Sequence, residues 1–246
     1  MKECDFTIVS NDRIAKGTFR MVLEGDTSGI AGSGQFVQVE LPGKFLRRPI
    51  SVSSYCDGNL VLIYKVVGHG TEQMSTMECG ECLSVLTGLG NCFDLDACRT
   101  DALLLGGGVG TAPLFELAKE LLCQGKNVTV VLGFNSSDEV FLKDDFENLG
   151  ATVYVATMDG SCGIKGFVTD AIRQYAPKYD CFYACGPLPM LRAVCTSLEG
   201  KGQASMEERM GCGFGICYGC TIQTAKGPKR VCADGPVFNK EDLLWQ

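Results

Sequence analysis

The sequence contains no apolar run long enough to cross a membrane. The longest runs, Ala102–Leu105 and Val128–Leu132, have the length of strands, whereas a helical span needs about 20 residues. No basic run exceeds the pair Arg47–Arg48 and the net charge is −7, so a nucleic-acid-binding role has no electrostatic support. The N-terminal stretch MKECDFTIVSNDRIAKG lacks the apolar core of a secretory signal, so we expect a protein that is not exported.

Histidine is nearly absent as well. His69 is the only one, and on its glycine-flanked loop we interpret it as an incidental polar residue rather than a catalytic one. Cysteine, by contrast, occurs 15 times. An odd number without an export signal argues against a disulfide framework and for a reducing compartment. We therefore predict a cytoplasmic protein in which some cysteines bind metal and the others are buried as small apolar residues.

The length and the strand pattern indicate more than one domain. At roughly 150 residues per domain, 246 residues correspond to about 1.6 domains, and 46% hydrophobic residues favour a folded chain. Residues 1–98 contain short alternating runs separated by Gly, Asn and Asp, which predict an antiparallel β-barrel. The runs are Phe6–Val9, Phe19–Leu23, Phe36–Leu41, Ile50–Ser54, Leu60–Val67 and Cys82–Leu86. A single helix is expected over Glu72–Glu78, with Thr71 as its cap and Gly80 at its end.

After residue 98 the pattern changes to strands that alternate with helices. This alternation predicts an α/β domain with a parallel sheet over residues 99–203. The strands are expected at Ala102–Leu105, Val128–Leu132, Thr152–Ala156 and Cys181–Ala184, and the helices at Pro113–Cys123, Val168–Tyr175 and Leu188–Leu198. Residues 204–246 are rich in Cys and Gly and show little periodicity, which is typical of a small domain organised around a ligand.

Four cysteines near the C-terminus have a metal-binding spacing. Cys212, Cys217, Cys220 and Cys232 form the pattern C-x4-C-x2-C-x11-C, and the first three match plant-type [2Fe–2S] proteins. The glycines of the loop GCGFGICYGC allow backbone amides to turn towards inorganic sulfides. A structural zinc site is the alternative, but it prefers paired C-x2-C knuckles. Free buried thiols are a further alternative. We predict an iron–sulfur cluster.

The other eleven cysteines lack that spacing. Cys79 and Cys82 form a C-x2-C pair, but no second pair or histidine is near them in sequence. We interpret the pair as buried or incidental, with a redox dithiol as the alternative.

A flavin site is indicated in the barrel region. A dinucleotide flavin needs a cation for its pyrophosphate, a hydrogen bond to its ring and a helix N-terminus for its phosphates. Arg48 supplies a multi-donor cation and Ser51, on the same strand, can reach the ring. Gly70 and Thr71 open the one helix expected in this half. The alternative is an exposed edge strand followed by an ordinary capped helix.

Two glycine turns indicate a nucleotide site. Gly106–Gly110 follows a strand and precedes a helix, as a phosphate-binding turn requires, although it is not a G-x-G-x-x-G sequence. Cys185–Pro187 follows the last strand of the alternating pattern. Turns made only for packing are the alternative in both cases. After the second strand, Asp138 and Glu139 stand where a cation would bind a 2′-phosphate, which favours NAD over NADP.

These regions, in this order, resemble the ferredoxin reductase superfamily, and the stretch from Ser205 to Cys220 resembles the electron transfer subunits of type B dihydroorotate dehydrogenases. The segment VCADGPVF, Val231–Phe238, is similar too. The resemblance extends over essentially the whole chain. It implies FAD and a [2Fe–2S] cluster as cofactors and NAD as the electron acceptor. It also assigns residues to FAD, to the nucleotide and to the cluster: Arg48, Pro49, Ile50, Ser51, Ile63, Tyr64, Lys65, Gly70 and Thr71; Gly106, Gly107, Gly108, Gly110, Cys185, Gly186 and Pro187; and Cys212, Cys217, Cys220 and Cys232.

The resemblance also implies a partner and a pathway. Electrons are expected to pass from dihydroorotate through the FMN of a catalytic subunit, then through the cluster and FAD to NAD, in pyrimidine biosynthesis. The expected assembly is a heterotetramer of two catalytic and two electron transfer subunits, with no nucleic acid and no membrane. Two alternatives belong to other classes: the reductase of a hydrogenase, oxygenase or transhydrogenase system, and a non-catalytic metal-binding scaffold.

Overall fold

The computed structural model describes residues 1–245, which form a β-barrel, a parallel-sheet domain and a cysteine-rich segment. The barrel is closed and antiparallel, with the strand order β1-β2-β5-β4-β3-β6. All six strands lie where the alternating runs predict them. Their bounds are β1 Lys2–Ala15, β2 Thr18–Gly25, β3 Phe36–Val39, β4 Arg48–Cys56, β5 Asn59–Lys65 and β6 Cys82–Leu89.

The barrel strands bury one face because their apolar residues alternate with a period of two. On β3, Val37 and Val39 point into the barrel core, whereas Phe36 points outwards and packs with the cysteine-rich segment. Helix α1 spans His69–Ser75, three residues earlier than expected. It starts early because the Thr71 hydroxyl accepts from the amides of Val67 and Gly68, so Thr71 lies in the first turn rather than before it.

The second sheet has seven strands in the order β10-β9-β8-β7-β11-β12-β15. All its described pairings are parallel except that of β15 with β12. Helices cover both faces of the sheet, as the alternation of strands and helices predicts. The strands are β7 Asp101–Gly107, β8 Asn127–Phe134, β9 Thr152–Thr157, β10 Ile164–Lys165, β11 Cys181–Cys185, β12 Lys201–Ser205 and β15 Val237–Asn239. The helices are α2 Leu114–Cys123, α3 Lys143–Asn148, α4 Val168–Tyr175 and α5 Leu188–Ser197.

The cysteine-rich segment is joined to this sheet at both ends. The expected division at residues 203 and 204 falls inside β12, and β15, on the far side of the segment, pairs with β12. Between them lie a hairpin, β13 Thr221–Thr224 with β14 Gly227–Arg230, and a short helix, α6 Val231–Asp234. No helix formed by residues 1–245 is long and apolar enough to cross a membrane.

Two carboxylates of α2 fix the barrel against the parallel-sheet domain. On α2, Glu116 accepts the amide of Tyr55, and Glu120 accepts the hydroxyl of Ser33 at 2.5 Å. Burial raises the pKa of Glu120 although the bonds from Ser33 oppose that rise. These bonds hold α2, and with it the parallel-sheet domain, at a defined position on the barrel.

Candidate functional site

A cleft of about 580 Å³ opens where β7, β8 and β11 end. The carboxyl ends of parallel strands are the usual place for a ligand in an open α/β sheet. Five of the residues predicted for the nucleotide line it: Gly107, Gly108, Gly110, Gly186 and Pro187. The cleft has room for a nucleotide, and both predicted glycine turns meet in it.

The two other residues predicted for the nucleotide lie directly behind the cleft. Gly106 and Cys185 are neighbours in the register of β7 and β11, and both are buried. Thr111, which follows the first glycine turn, is fully buried and its hydroxyl has no hydrogen-bond partner among residues 1–245. A buried hydroxyl without a partner at such a turn fits a phosphate ligand.

The acids that favour NAD make contacts with the barrel. Glu139 lines the cleft and accepts from Lys65 at 2.9 Å and from Asn135 at 2.8 Å. Burial opposes ionisation of Glu139, but these two bonds outweigh it and lower its pKa. Asp138 pairs with Lys16 at 2.9 Å instead of lining the cleft. Glu139 is therefore the acid available to a ribose, and Lys65, predicted for FAD, is a cation that reaches the same cleft from the barrel.

Glu207 is a cleft residue for which the sequence predicts no role, although it lies in the Ser205–Cys220 stretch that carries the resemblance. It lines the cleft together with Lys65, and desolvation by the surrounding protein raises its pKa. Glu207 also acts through its charge on the buried thiol of Cys185, whose pKa is raised mainly by burial. Glu207 thus lines the cleft, and the buried thiol of Cys185 lies behind it.

The predicted flavin residues form a strip along β4, β5 and α1. The guanidinium of Arg48 lies against Gly70, where a β-carbon would come within 2.0 Å of Nε. Arg48 forms no ion pair with a carboxylate within residues 1–245; its described bonds go to the carbonyls of Leu46 and Arg47. An arginine that lacks an acidic partner, beside the first turn of a helix, fits a pyrophosphate ligand.

The other residues of the flavin strip differ in whether their side chains point outwards or into the protein. Pro49 and Ser51 lie on the outer face of β4, opposite Gln38 and Phe36 of β3, whereas Ile50 points into the barrel. The side chain of Tyr64 also points inwards and donates to Asn11 at 2.9 Å, and burial raises its pKa to about 12. Ile63 packs with the core of the parallel-sheet domain. A flavin on this strip can therefore contact Ile50, Ile63 and Tyr64 through their backbone.

Replacing Arg48 tests whether its positive charge contributes to FAD binding. Arg48→Ala is expected to weaken FAD binding about 10- to 100-fold, because a hydrogen bond to a charged group contributes roughly 1.5–3 kcal/mol. The measurement is FAD affinity by fluorescence titration of deflavinated protein. Arg47→Ala is the matched control, since Arg47 pairs with Glu3 and Glu40 instead. Equal FAD affinity in Arg48→Ala and wild type would contradict this role.

The four clustered cysteines form two pairs. The amide of Cys217 donates to Sγ of Cys212, and the amide of Cys232 donates to Sγ of Cys220, each at 3.4 Å. Within residues 1–245, no three side chains of the Cys, His, Asp or Glu types converge as the ligands of a single ion do. Two pairs of thiols are the donor set of a two-iron group, in which each iron takes two cysteines.

The polarity around the thiols also fits an anionic metal–sulfur group. Burial opposes ionisation of Cys212, but the amides of Cys217, Phe214 and Ile216 outweigh it and lower the pKa of its thiol to about 6. Cys220 and Cys232 are buried, and Cys217 is exposed. The loop therefore holds one pair inside the protein and presents the other towards the surface, and Cys212, Cys217, Cys220 and Cys232 would hold the cluster.

An arginine braces this loop. Arg230 donates from Nη1 to the carbonyl of Gly215 at 2.8 Å, and its guanidinium lies 5.2 Å from the centre of the Tyr218 ring. Asp234 accepts from Nε at 2.9 Å and so fixes the guanidinium. By contrast, Cys79 and Cys82 are both exposed, as are Cys56 and Cys123, so the prediction that the remaining cysteines are buried is wrong for these four.

The barrel, the nucleotide cleft and the cysteine loop together define a ferredoxin reductase-like oxidoreductase with an iron–sulfur segment. Residues 207–244 match the family described as iron-sulfur cluster binding domain of dihydroorotate dehydrogenase B, and residues 104–196 match oxidoreductase NAD-binding domain. A solved structure of an NADH-dependent reduced ferredoxin-NADP oxidoreductase superposes with a TM-score of 0.89 at 32% identity, over 98% of this chain and 90% of that one.

Two curated relatives are more similar in sequence. The dihydroorotate dehydrogenase B (NAD(+)) electron transfer subunit of Fusobacterium nucleatum subsp. nucleatum is 42% identical over 257 residues, with 99% of each chain covered. That of Lysinibacillus sphaericus is 44% identical over 249 residues, with 95% of each chain covered. The chain belongs to the family of dihydroorotate dehydrogenase B electron transfer subunits, as the resemblance in its motifs predicts.

Proposed function

We propose that this chain passes electrons to NAD⁺ as the electron transfer subunit of a dihydroorotate dehydrogenase B, in pyrimidine biosynthesis. The catalytic partner is proposed to carry FMN and to form a heterotetramer of two catalytic and two electron transfer subunits. The odd count of 15 cysteines favours a reducing compartment, so the proposed location is the cytoplasm.

The contiguity of the three sites is the observation that carries this proposal. Lys65, at the end of the flavin strip, lies in the same cleft as the nucleotide turn at Gly107. On the other side, Phe36 of the barrel packs in one core with Cys220 and Cys232. One side of the flavin strip therefore borders the nucleotide cleft and the other borders the cysteine loop. An electron carrier between a cluster and a nucleotide needs this order.

The residues of this chain have separate tasks in that transfer. FAD supplies the exchange between one- and two-electron chemistry, and the [2Fe–2S] cluster supplies single-electron transfer. Arg48 neutralises phosphate charge, and Ser51 offers a hydrogen bond to the ring from the outer face of β4. The glycine turns at Gly107 and Gly186 let the nucleotide approach the backbone, and Glu139 accepts from its ribose.

The exposed side of the cysteine loop is the proposed docking surface for the catalytic subunit. Phe214, Ile216 and Tyr218 are 40%, 73% and 65% exposed, and they alternate along the loop that carries Cys212 and Cys217. Three large apolar side chains in solvent beside a redox group are typical of an interface. The proposed partner covers them and so brings its flavin close to the loop.

Reconstitution tests the proposed function. The purified chain is expected to oxidise NADH with an artificial dye but to show no dihydroorotate-dependent reduction of NAD⁺. All three of its parts serve electron transfer, and an FMN-binding (β/α)₈ barrel, the fold the family implies for the partner, takes about 250 residues by itself. Addition of the catalytic subunit is expected to give a stable complex and the full reaction. The assay follows NADH at 340 nm, with size-exclusion chromatography for the complex.

Two results would contradict the proposal. Turnover of dihydroorotate by the isolated chain at the rate of the mixture would show that no partner is needed. If the two proteins neither bound nor coupled, the alternative of a reductase from another system would replace it. The control is the mixture assayed without dihydroorotate, which shows how much of the NADH signal depends on the substrate.

A further inference from the structure

A buried side-chain amide, that of Gln38, lies between the flavin strip and the cysteine loop. Gln38, on β3, is 0% exposed, and neither its Nε2 nor its Oε1 has a hydrogen-bond partner among residues 1–245. Buried amides in proteins are almost always hydrogen-bonded, because an unpaired one costs free energy. A fully buried amide with two unused groups indicates a partner from outside the chain.

The direction of the Gln38 side chain follows from its strand. Val37 and Val39 point into the barrel, so Gln38 shares the outer face of β3 with Phe36. Its register partners are Pro49 on β4 and Leu86 on β6. Directly opposed residues on antiparallel strands have β-carbons about 4.5–5.5 Å apart. Gln38 is therefore a lateral neighbour of the flavin strip at Pro49.

On its other side Gln38 contacts the cysteine loop. A β-carbon built on Gly213 would lie 2.3 Å from Nε2 of Gln38, so the loop backbone rests directly on the amide. Gly213 has a φ of +79°, which glycine adopts without strain. It immediately follows Cys212. The amide thus reaches the turn that carries the first cluster ligand.

We propose that Gln38 is a positioning residue that donates a hydrogen bond from Nε2 to a sulfur of the [2Fe–2S] group at the Cys212 side. This rests on the proposed function, which places that group in the loop. A hydrogen bond to such a sulfur stabilises the reduced, more negative form and so raises the reduction potential. Gln38 then sets the driving force for electron transfer between the cluster and the flavin strip.

The test compares two glutamines of the same strand region. Gln35 is also buried, but its groups are satisfied within the chain: Oε1 accepts the amide of Ala31 at 2.7 Å and Nε2 donates to the carbonyl of Gly90 at 2.9 Å. Gln38→Leu therefore removes an amide that has no hydrogen-bond partner within the described residues. Gln35→Leu removes an amide that has two such partners. Gln38→Met is made in parallel, because methionine is unbranched and of similar length.

The readouts are the cluster potential, from a redox titration followed by electron paramagnetic resonance, and the flavin potential, from absorbance. The holoprotein carrying both cofactors is used. Gln38→Leu and Gln38→Met are expected to shift the reduction equilibrium about tenfold towards the oxidised cluster, which is 59 mV for a one-electron couple. Gln35→Leu is expected to lower the melting temperature and to leave the cluster potential unchanged.

Three results would overturn the role of Gln38. The first is an unchanged cluster potential in both Gln38 variants, and the second is an equal shift in Gln35→Leu. The third is a shift of the flavin potential alone, which would assign the amide to the flavin. The wild-type cluster signal is recorded first, because its absence would mean that the cofactor assignment had failed rather than the assignment of Gln38.

Discussion

Cys217→Ser is expected to abolish the [2Fe–2S] signal or to leave it severely depleted. Cys217 is the most exposed of the four thiols, and its amide also donates to Cys212, so its side chain and its backbone both serve the loop. Metal ligands organise a segment with so little core of its own. We therefore also expect residues 206–246 of the variant to become sensitive to protease. Iron content, visible absorbance and limited proteolysis are the measurements.

Cys79→Ser is the matched control for that loss. Cys79 is exposed like Cys217 and stands in a C-x2-C pair, yet it lies on the barrel, outside the loop. Its replacement is expected to leave the iron content at the wild-type value. A full cluster signal in Cys217→Ser, or its loss in Cys79→Ser, would show that the four-cysteine assignment is wrong.

Ile216→Asp is expected to uncouple the chain from its catalytic partner. Ile216 is 73% exposed on the proposed docking surface, and a carboxylate without a partner that is forced into an apolar contact costs several kcal/mol. At about 1.4 kcal/mol per tenfold change, association is expected to weaken about 100-fold or more. The measurements are the dissociation constant by biolayer interferometry and dihydroorotate-dependent reduction of NAD⁺ at a subunit concentration below it.

Val9→Asp is the control for surface charge. Val9 is a β-branched residue, 45% exposed on barrel strand β1 and outside the cysteine loop. It is expected to leave both association and coupling unchanged. In Ile216→Asp, oxidation of NADH with a dye is expected to persist, because the nucleotide cleft is unaltered. Normal coupling in Ile216→Asp would remove this loop from the interface.

Much of the fold was predictable because period-two and strand–helix patterns are local signals. Strand β12 was not predicted, since Lys201–Ser205 reads KGQAS and has no apolar alternation. Gly202 is required by packing, because a β-carbon there would lie 2.2 Å from the Phe182 ring. Strand β15 was not predicted either. Its residues fall in the expected cysteine-rich domain, because nothing local to Val237–Asn239 shows that they pair with β12.

The residues of the candidate site also fall into those that a local motif predicts and those that only the three-dimensional structure identifies. The cysteine spacing and the glycine turns are local signals; the structure brings the two turns to one cleft and the four cysteines into two pairs. The sequence predicts no role for Glu207 or Gln38, because their importance arises from what lies opposite them in space. Lys65 is assigned to FAD by the resemblance, and its contact with Glu139 joins residues of two domains. Whether the predicted residues bind FAD, the cluster and NAD as assigned stays a prediction.

The antiparallel pairing of β12 with β15 makes residues 206–236 the loop of one long hairpin. Ser205 is opposite Val237, and opposed residues on such strands have Cα atoms about 4.5–5.5 Å apart. An insertion whose ends lie this close can change in length without moving those two ends apart. Residues 206–236 are thus joined to the sheet at two neighbouring points, and Cys220, Val231 and Cys232 also pack in its core. A substitution, insertion or deletion at the exposed part of this hairpin loop, Phe214–Tyr218, would then alter the proposed docking surface and leave the pairing of β12 with β15 in place.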